Sequence, residues 1–224
     1  PLITALGRRP DGDADAIRTL LVQIGWDGLP EIGQIFSTLT PPVQRQLILL
    51  FDTLEAWPPD VDPLALARHP DAGVRREAIR SLLRNEGHRE LILPTAARDP
   101  DLRVFNLALQ AALRHCSVET ARALIGRYGD AALGSELRVR IIRAAAQTRA
   151  PEVLPWLLEQ AAATRWLFRS RKLRSSPEAV AALTGVATHF ADSPQGAQLL
   201  AMGRASRSAE MRRAAAARPS EGQE

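Results

Sequence analysis

A single cysteine, a single lysine and a single tyrosine stand among 224 residues, and these scarcities narrow what the chain can be. With Cys116 alone, no intrachain disulfide can form, which points to a reducing, cytoplasmic compartment. No apolar run approaches the roughly 18 residues that a membrane-spanning helix needs, so integral membrane association is not expected. Nor is there a charged-then-apolar leader at the start. The opening PLITALGRRP lacks Met and begins within an apolar helical pattern, as a piece of a larger protein would. Aromatics make up only 4% of residues, and a core of Ala and Leu suits closely packed helices better than a sheet.

Chemical signatures are missing too. The chain has no P-loop, no G-x-G-x-x-G, no H-E-x-x-H and no paired C-x-x-C, so the common phosphate-cradling and zinc patterns fail. His115 and Cys116 are adjacent at a helix end, where neighbours do not face each other, and His69, His88 and His189 are scattered. Glu77, Glu86 and Glu90 read as solvated helix-face residues, and Trp26, Trp57 and Trp156 as packing residues near helix ends. No catalytic residue, cofactor site or metal site is therefore assigned. Net charge is +4 with a pI near 10.4, and because Lys172 is the one lysine, 28 of the 29 basic residues are arginine. That bias fits the codon usage of a GC-rich bacterial genome, and the modest net charge is a weak nucleic-acid signal.

What the chain does contain is a repeat. ARHPDAGVRREAIRSLLR at 67–84 returns as ARDPDLRVFNLALQAALR at 97–114, 30 residues later. In each copy proline ends one helix and aspartate caps the next, Asp71 first and Asp101 second. An apolar stripe follows at helical spacing, Val74, Ala78, Ile79, Leu82 and Leu83 in the first copy. A shorter apolar segment precedes each copy, so the unit is a helix pair, which cannot bury both faces without a neighbour. Weaker copies extend the series to about seven pairs over residues 1–217, with RPSEGQE at 218–224 expected to be disordered. Among them, Leu137, Arg138 and Ile141 align with Val74, Arg75 and Ala78, as do Met211, Arg212 and Ala215.

The pattern D-x-x-V-R-x-x-A at Asp71, Val74, Arg75 and Ala78 resembles HEAT repeats, most strongly over 62–115. Phe105 and Ser208 depart from it, standing where arginine and aspartate are expected. The resemblance implies an all-α fold, a right-handed α-solenoid of stacked antiparallel helix pairs presenting a concave face to a macromolecule. It also implies that Asp71, Asp101 and Arg75 link neighbouring turns. Helical-repeat enzymes offer comparisons: alkylpurine DNA glycosylases of this kind are aromatic-rich around their site, and HEAT-repeat deoxyhypusine hydroxylases carry His-Glu iron ligands. This chain has neither feature, whereas bilin lyases resembling HEAT arrays have no short motif to test.

One segment breaks the pattern. TRWLFRSRKLRSS at 164–176 inserts a basic loop where other pairs have tight turns, with Arg165, Arg169, Arg171, Lys172 and Arg174 interleaved with Trp166 and Phe168 and no acidic residue. Insertions in repeats map to one face and are often where binding occurs. The leading reading is a non-catalytic scaffold whose concave face and basic loop receive a partner protein through an acidic surface or peptide. The alternatives are a nucleic-acid binder using the same loop with Arg138 and Arg140, and a bilin-lyase-like HEAT enzyme.

Overall fold

The protein is described by a computed structural model covering residues 29–165 and 170–217. The helix pair expected within 1–28 and the tail 218–224 lie outside the described residues. The chain divides into two compact units, 1–108 and 109–224. The described residues form twelve α-helices, one 3-10 turn and one two-stranded sheet, so the fold is all-α in class with a small hairpin added.

The first unit contains α1 (Leu29–Phe36), α2 (Pro41–Leu54), the one-turn α3 (Pro63–Leu66), α4 (Ala72–Leu82) and α5 (Glu86–Ala97). Helix α6 (Leu102–Ala112) follows. Within the first unit α2 packs on α4, and α3 and α5 flank α4. Its core gathers Ile32, Phe36, Leu47, Phe51, Val74 and Ala78. Phe51 sits between Phe36 and Trp57, with ring centroids 6.0 and 5.4 Å away.

The second unit continues with α7 (Val118–Arg127), α8 (Ser135–Gln147), the 3-10 turn Pro151–Val153 and α9 (Leu154–Ala161). The hairpin β1 (Ala162–Arg165) and β2 (Ser170–Leu173) precedes α10 (Pro177–His189), α11 (Pro194–Arg204) and α12 (Ala209–Ala215). Each second helix here contacts the next: α8 packs on α10 and α10 on α12, while α7, α9 and α11 lie against α8, α10 and α12. Small residues permit the close approach. A methyl group at Gly185 would stand 2.7 Å from the Ala146 Cβ.

Turn chemistry repeats along with the helices. Asp71 caps α4 by accepting from the Val74 N–H at 2.9 Å, and Ser208 caps α12 by accepting from the Met211 N–H. Two residues before each cap stands a side-chain acceptor for the cap's own N–H: His69 Nδ1 for Asp71, Asp99 Oδ1 for Asp101, Ser206 Oγ for Ser208. Arg75 donates to the His69 and Pro70 carbonyls, and Arg212 donates to those of Ser206 and Arg207, the same five- and six-residue reach. The alignment of Arg212 with Arg75 therefore holds at the level of individual hydrogen bonds.

Two expectations change. Arg75 reaches the next turn through Asp99, with Nε 2.7 Å from Oδ2 and Nη2 2.9 Å from Oδ1, and not through Asp101. Asp101 instead holds Arg103 and the start of α6. Glu77 is buried rather than solvated, its carboxylate clamped between Arg76 and Arg80.

Candidate functional site

The basic insertion is an antiparallel hairpin and not an irregular loop. Helix α9 ends when Ala162 turns extended, at φ −137° and ψ 142°, with its N–H still donating to the Leu158 carbonyl. Continuing the helix would have set Arg165 beside Arg169 and Arg171 near Arg174, like charges at helical spacing. The register pairs Ala162 with Leu173, Ala163 with Lys172, Thr164 with Arg171 and Arg165 with Ser170. Ala162 is buried and Leu173 packs against the second unit's core, which pins this end of the hairpin down. After β2 the chain re-enters a helix at Ser176, whose hydroxyl accepts from the Ala179 N–H.

Of the sequence-selected residues, Arg165 and Arg171 occupy strand positions, while Trp166, Phe168 and Arg169 lie outside the described residues. Lys172 and Arg174 are exposed. Beside β2 opens a groove of about 480 Å³ lined by Lys172, Leu173, Met202, Ser206 and Arg207. Among the described residues no carboxylate lines it. Its far wall is the turn between α11 and α12, which Arg212 holds by donating to the Ser206 and Arg207 carbonyls, both at 2.9 Å. Arg207 is left exposed at the rim. Sequence reading missed Met202, Ser206 and Arg207; the basic run GRASRSAEMRR was visible, but its apposition to Lys172 depends on packing some 30 residues away.

A second cluster lies in the same unit. Tyr128 and Trp156 meet edge to face with centroids 5.1 Å apart, and the Arg138 guanidinium lies 5.8 Å from the centre of the Tyr128 ring. Arg138 also donates to the Asp130 carbonyl at 3.3 Å, while its buried Nε has no hydrogen-bond partner. Burial and then the Glu178 charge push the Tyr128 hydroxyl up, against the pull of Arg138 and Arg174. Arg138 is thus engaged with a ring and a turn, and Arg140 is likewise engaged.

Elsewhere the polar groups are spent on the fold. A cleft of about 440 Å³ in the first unit is lined by Asp52, Trp57, Ser81, Arg84 and His88, among others. There Asp52 is taken up by Ser81 and Arg84. Burial pushes the Cys116 thiol up to about 12, the reverse of an activated nucleophile. His189 is pushed down by burial and by Arg149. Among the described residues, no three His, Cys, Asp or Glu side chains converge as a metal site, and no helix is long and apolar enough to cross a membrane.

No family model, curated protein or solved structure matches this chain.

Proposed function

We propose that the chain is a non-catalytic, cytoplasmic HEAT-like scaffold, a right-handed α-solenoid of about seven helix pairs, that binds an acidic partner protein at the hairpin of its second unit. Support for the repeat comes from the second-helix contacts α2–α4 and α8–α10–α12 and from the turn lock shared by Arg75 and Arg212. The observation that carries the binding reading is the groove beside β2. Lys172 and Arg207 line it together with the apolar Leu173 and Met202, and among the described residues no carboxylate does. Such an arrangement suits a partner segment that brings acidic groups to the rim and apolar side chains to the floor. Arg138 and Arg140 being engaged weighs against a continuous phosphate track.

The test is fluorescence anisotropy of the full chain with a labelled acidic peptide, a short DNA duplex and a single strand, at about 50 and 200 mM salt. The comparison is a Lys172→Glu/Arg207→Glu variant. Peptide binding that the variant weakens at least about tenfold is expected. DNA binding that is tighter and steeper in salt would place nucleic acid ahead of protein.

A further inference from the structure

We propose that the partner's acidic segment binds as a third β-strand along the outer edge of β2; this deepens, and rests on, the reading of the hairpin groove as the partner site. The hydrogen-bond register decides which backbone groups are available. The Arg174 N–H donates to the Ala161 carbonyl at 2.9 Å, so 161 and 174 form a hydrogen-bonded pair just beyond the paired strands. Because such pairs alternate in an antiparallel ladder, Ala163–Lys172 and Arg165–Ser170 are the next hydrogen-bonded pairs in the register. Arg171 and Leu173 occupy the intervening positions, and their N–H and C=O groups point away from β1. On that side no backbone hydrogen bond of Leu173 is found among the described residues.

The two edges are not equivalent. On β1 the outward positions are Ala162 and Thr164, and the Ala162 N–H is already spent on Leu158 at the end of α9. On β2 both outward positions face away from β1, toward where a third strand would lie, and β2 supplies Lys172 and Leu173 to the groove that also holds Met202 and Arg207. An extended segment that pairs with a sheet edge takes affinity from main-chain hydrogen bonds and specificity from alternate side chains. Here the alternation selects an apolar residue for the Leu173–Met202 floor and an acidic residue for the Lys172 and Arg207 rim. The same cations oppose edge-to-edge pairing of two copies, a common protection of exposed strands.

The probes are a fluorescein-labelled decapeptide of alternating Glu and Val and a block peptide of the same composition, titrated against the full chain. Arg171→Pro removes an outward N–H while leaving the ladder N–H groups of Ser170 and Lys172, as proline at an edge position allows. Arg171→Gln removes the charge and keeps the N–H. The alternating peptide is expected to bind at least about tenfold more tightly than the block peptide, and Arg171→Pro to lose about tenfold relative to Arg171→Gln, the scale of one interface hydrogen bond. Amide exchange of Arg171 and Leu173 in the wild-type protein, independent of any variant's folding, is expected to slow when the alternating peptide is added. If Lys172→Glu/Arg207→Glu abolishes binding while both peptides bind alike and these amides stay unprotected, strand addition is overturned and the acidic-partner surface stands. If that double variant binds as the wild type does, or neither peptide binds at low salt, the site reading and strand addition both fall.

Discussion

Replacing Arg75 by alanine should be among the most damaging single changes in the first unit. The side chain makes four hydrogen bonds: two to Asp99 at 2.7 and 2.9 Å, and one each to the His69 and Pro70 carbonyls at 2.8 and 3.0 Å. Its side chain is 13% exposed and that of Asp99 6%, so the ion pair is largely withdrawn from water. Truncation removes the Arg75 charge from Asp99, which still accepts from the Asp101 N–H. Breaking a buried pair by removing one partner costs about 3–5 kcal/mol. Because Asp99 keeps a backbone donor and the Pro70 carbonyl is reachable by water, the lower end is expected, about 3 kcal/mol. Urea unfolding followed by circular dichroism measures it, with the double variant Arg75→Ala/Asp99→Ala recovering part of the loss. Arg103→Ala is the comparison from the second copy: its ion pair with Asp101 is exposed on the arginine side, so it should cost less than Arg75→Ala. A loss below about 1 kcal/mol for Arg75→Ala would refute the claim that this guanidinium couples successive turns.

Four further outcomes follow from packing and burial elsewhere in the chain. The Asp101 carboxyl is held down to about 2, chiefly by the Arg103 side chain; the unfolded chain then binds more protons, so stability rises with pH. Its contribution should be complete above about pH 4 and disappear as the pH falls through 2, a decline that an Asp101→Asn variant should lack. Gly185→Ala, which drives a methyl group to 2.7 Å from the Ala146 Cβ, should cost about 1–3 kcal/mol by overpacking. Gly126→Ala, at an exposed position of α7 with nothing within 4 Å, should instead stabilise by about 0.5–1 kcal/mol in thermal or urea unfolding. Finally, Cys116, pushed up to about 12 by burial, should react with iodoacetamide at pH 8.5 far more slowly in the folded chain than in urea; equal rates would contradict that burial.

The parts of the fold legible in the sequence are those set by local rules. A capping residue three positions before a buried Val, Met or Ile predicts where α4 and α12 begin, and Asp71 and Ser208 do cap there. The arginine one place further on folds back onto its own turn in both cases. What sequence could not supply was the choice among nearby chemically equivalent groups. Asp99 and Asp101 both lie within range of Arg75 along the chain, and the cap of α6 engages Asp101 first. Glu77 looked solvated because two flanking arginines gave its face a polar pattern, yet those arginines are what make its burial tolerable. The hairpin was hidden for a related reason. TRWLFRSRKLRSS alternates β-favouring Thr164, Trp166 and Phe168 with Arg165, Leu167 and Arg169, but it has no Asn-Gly or Asp-Gly to announce a tight turn.

The same sorting explains why overall charge says little about what this chain binds. Twenty-nine basic residues and a pI near 10.4 would suit a nucleic-acid binder if the cations were spread free over one face. Part of that charge is instead paired or hydrogen-bonded within the fold. Arg76 and Arg80 neutralise Glu77, Arg84 meets Asp52, Arg122 meets Glu152 and Arg127 meets Asp130. Arg75, Arg138 and Arg212 hold the carbonyls of turns. Lys172, Arg174 and Arg207 are exposed, as are Arg114, Arg143 and Arg213; what sets the first three apart is their place on or beside the hairpin, with Lys172 and Arg207 lining one groove. A partner recognised here meets a small, local set of cations with an apolar floor between two of them. Binding at such a place should therefore respond to Lys172 and Arg207 individually, and much less to arginines elsewhere that already have work within the fold.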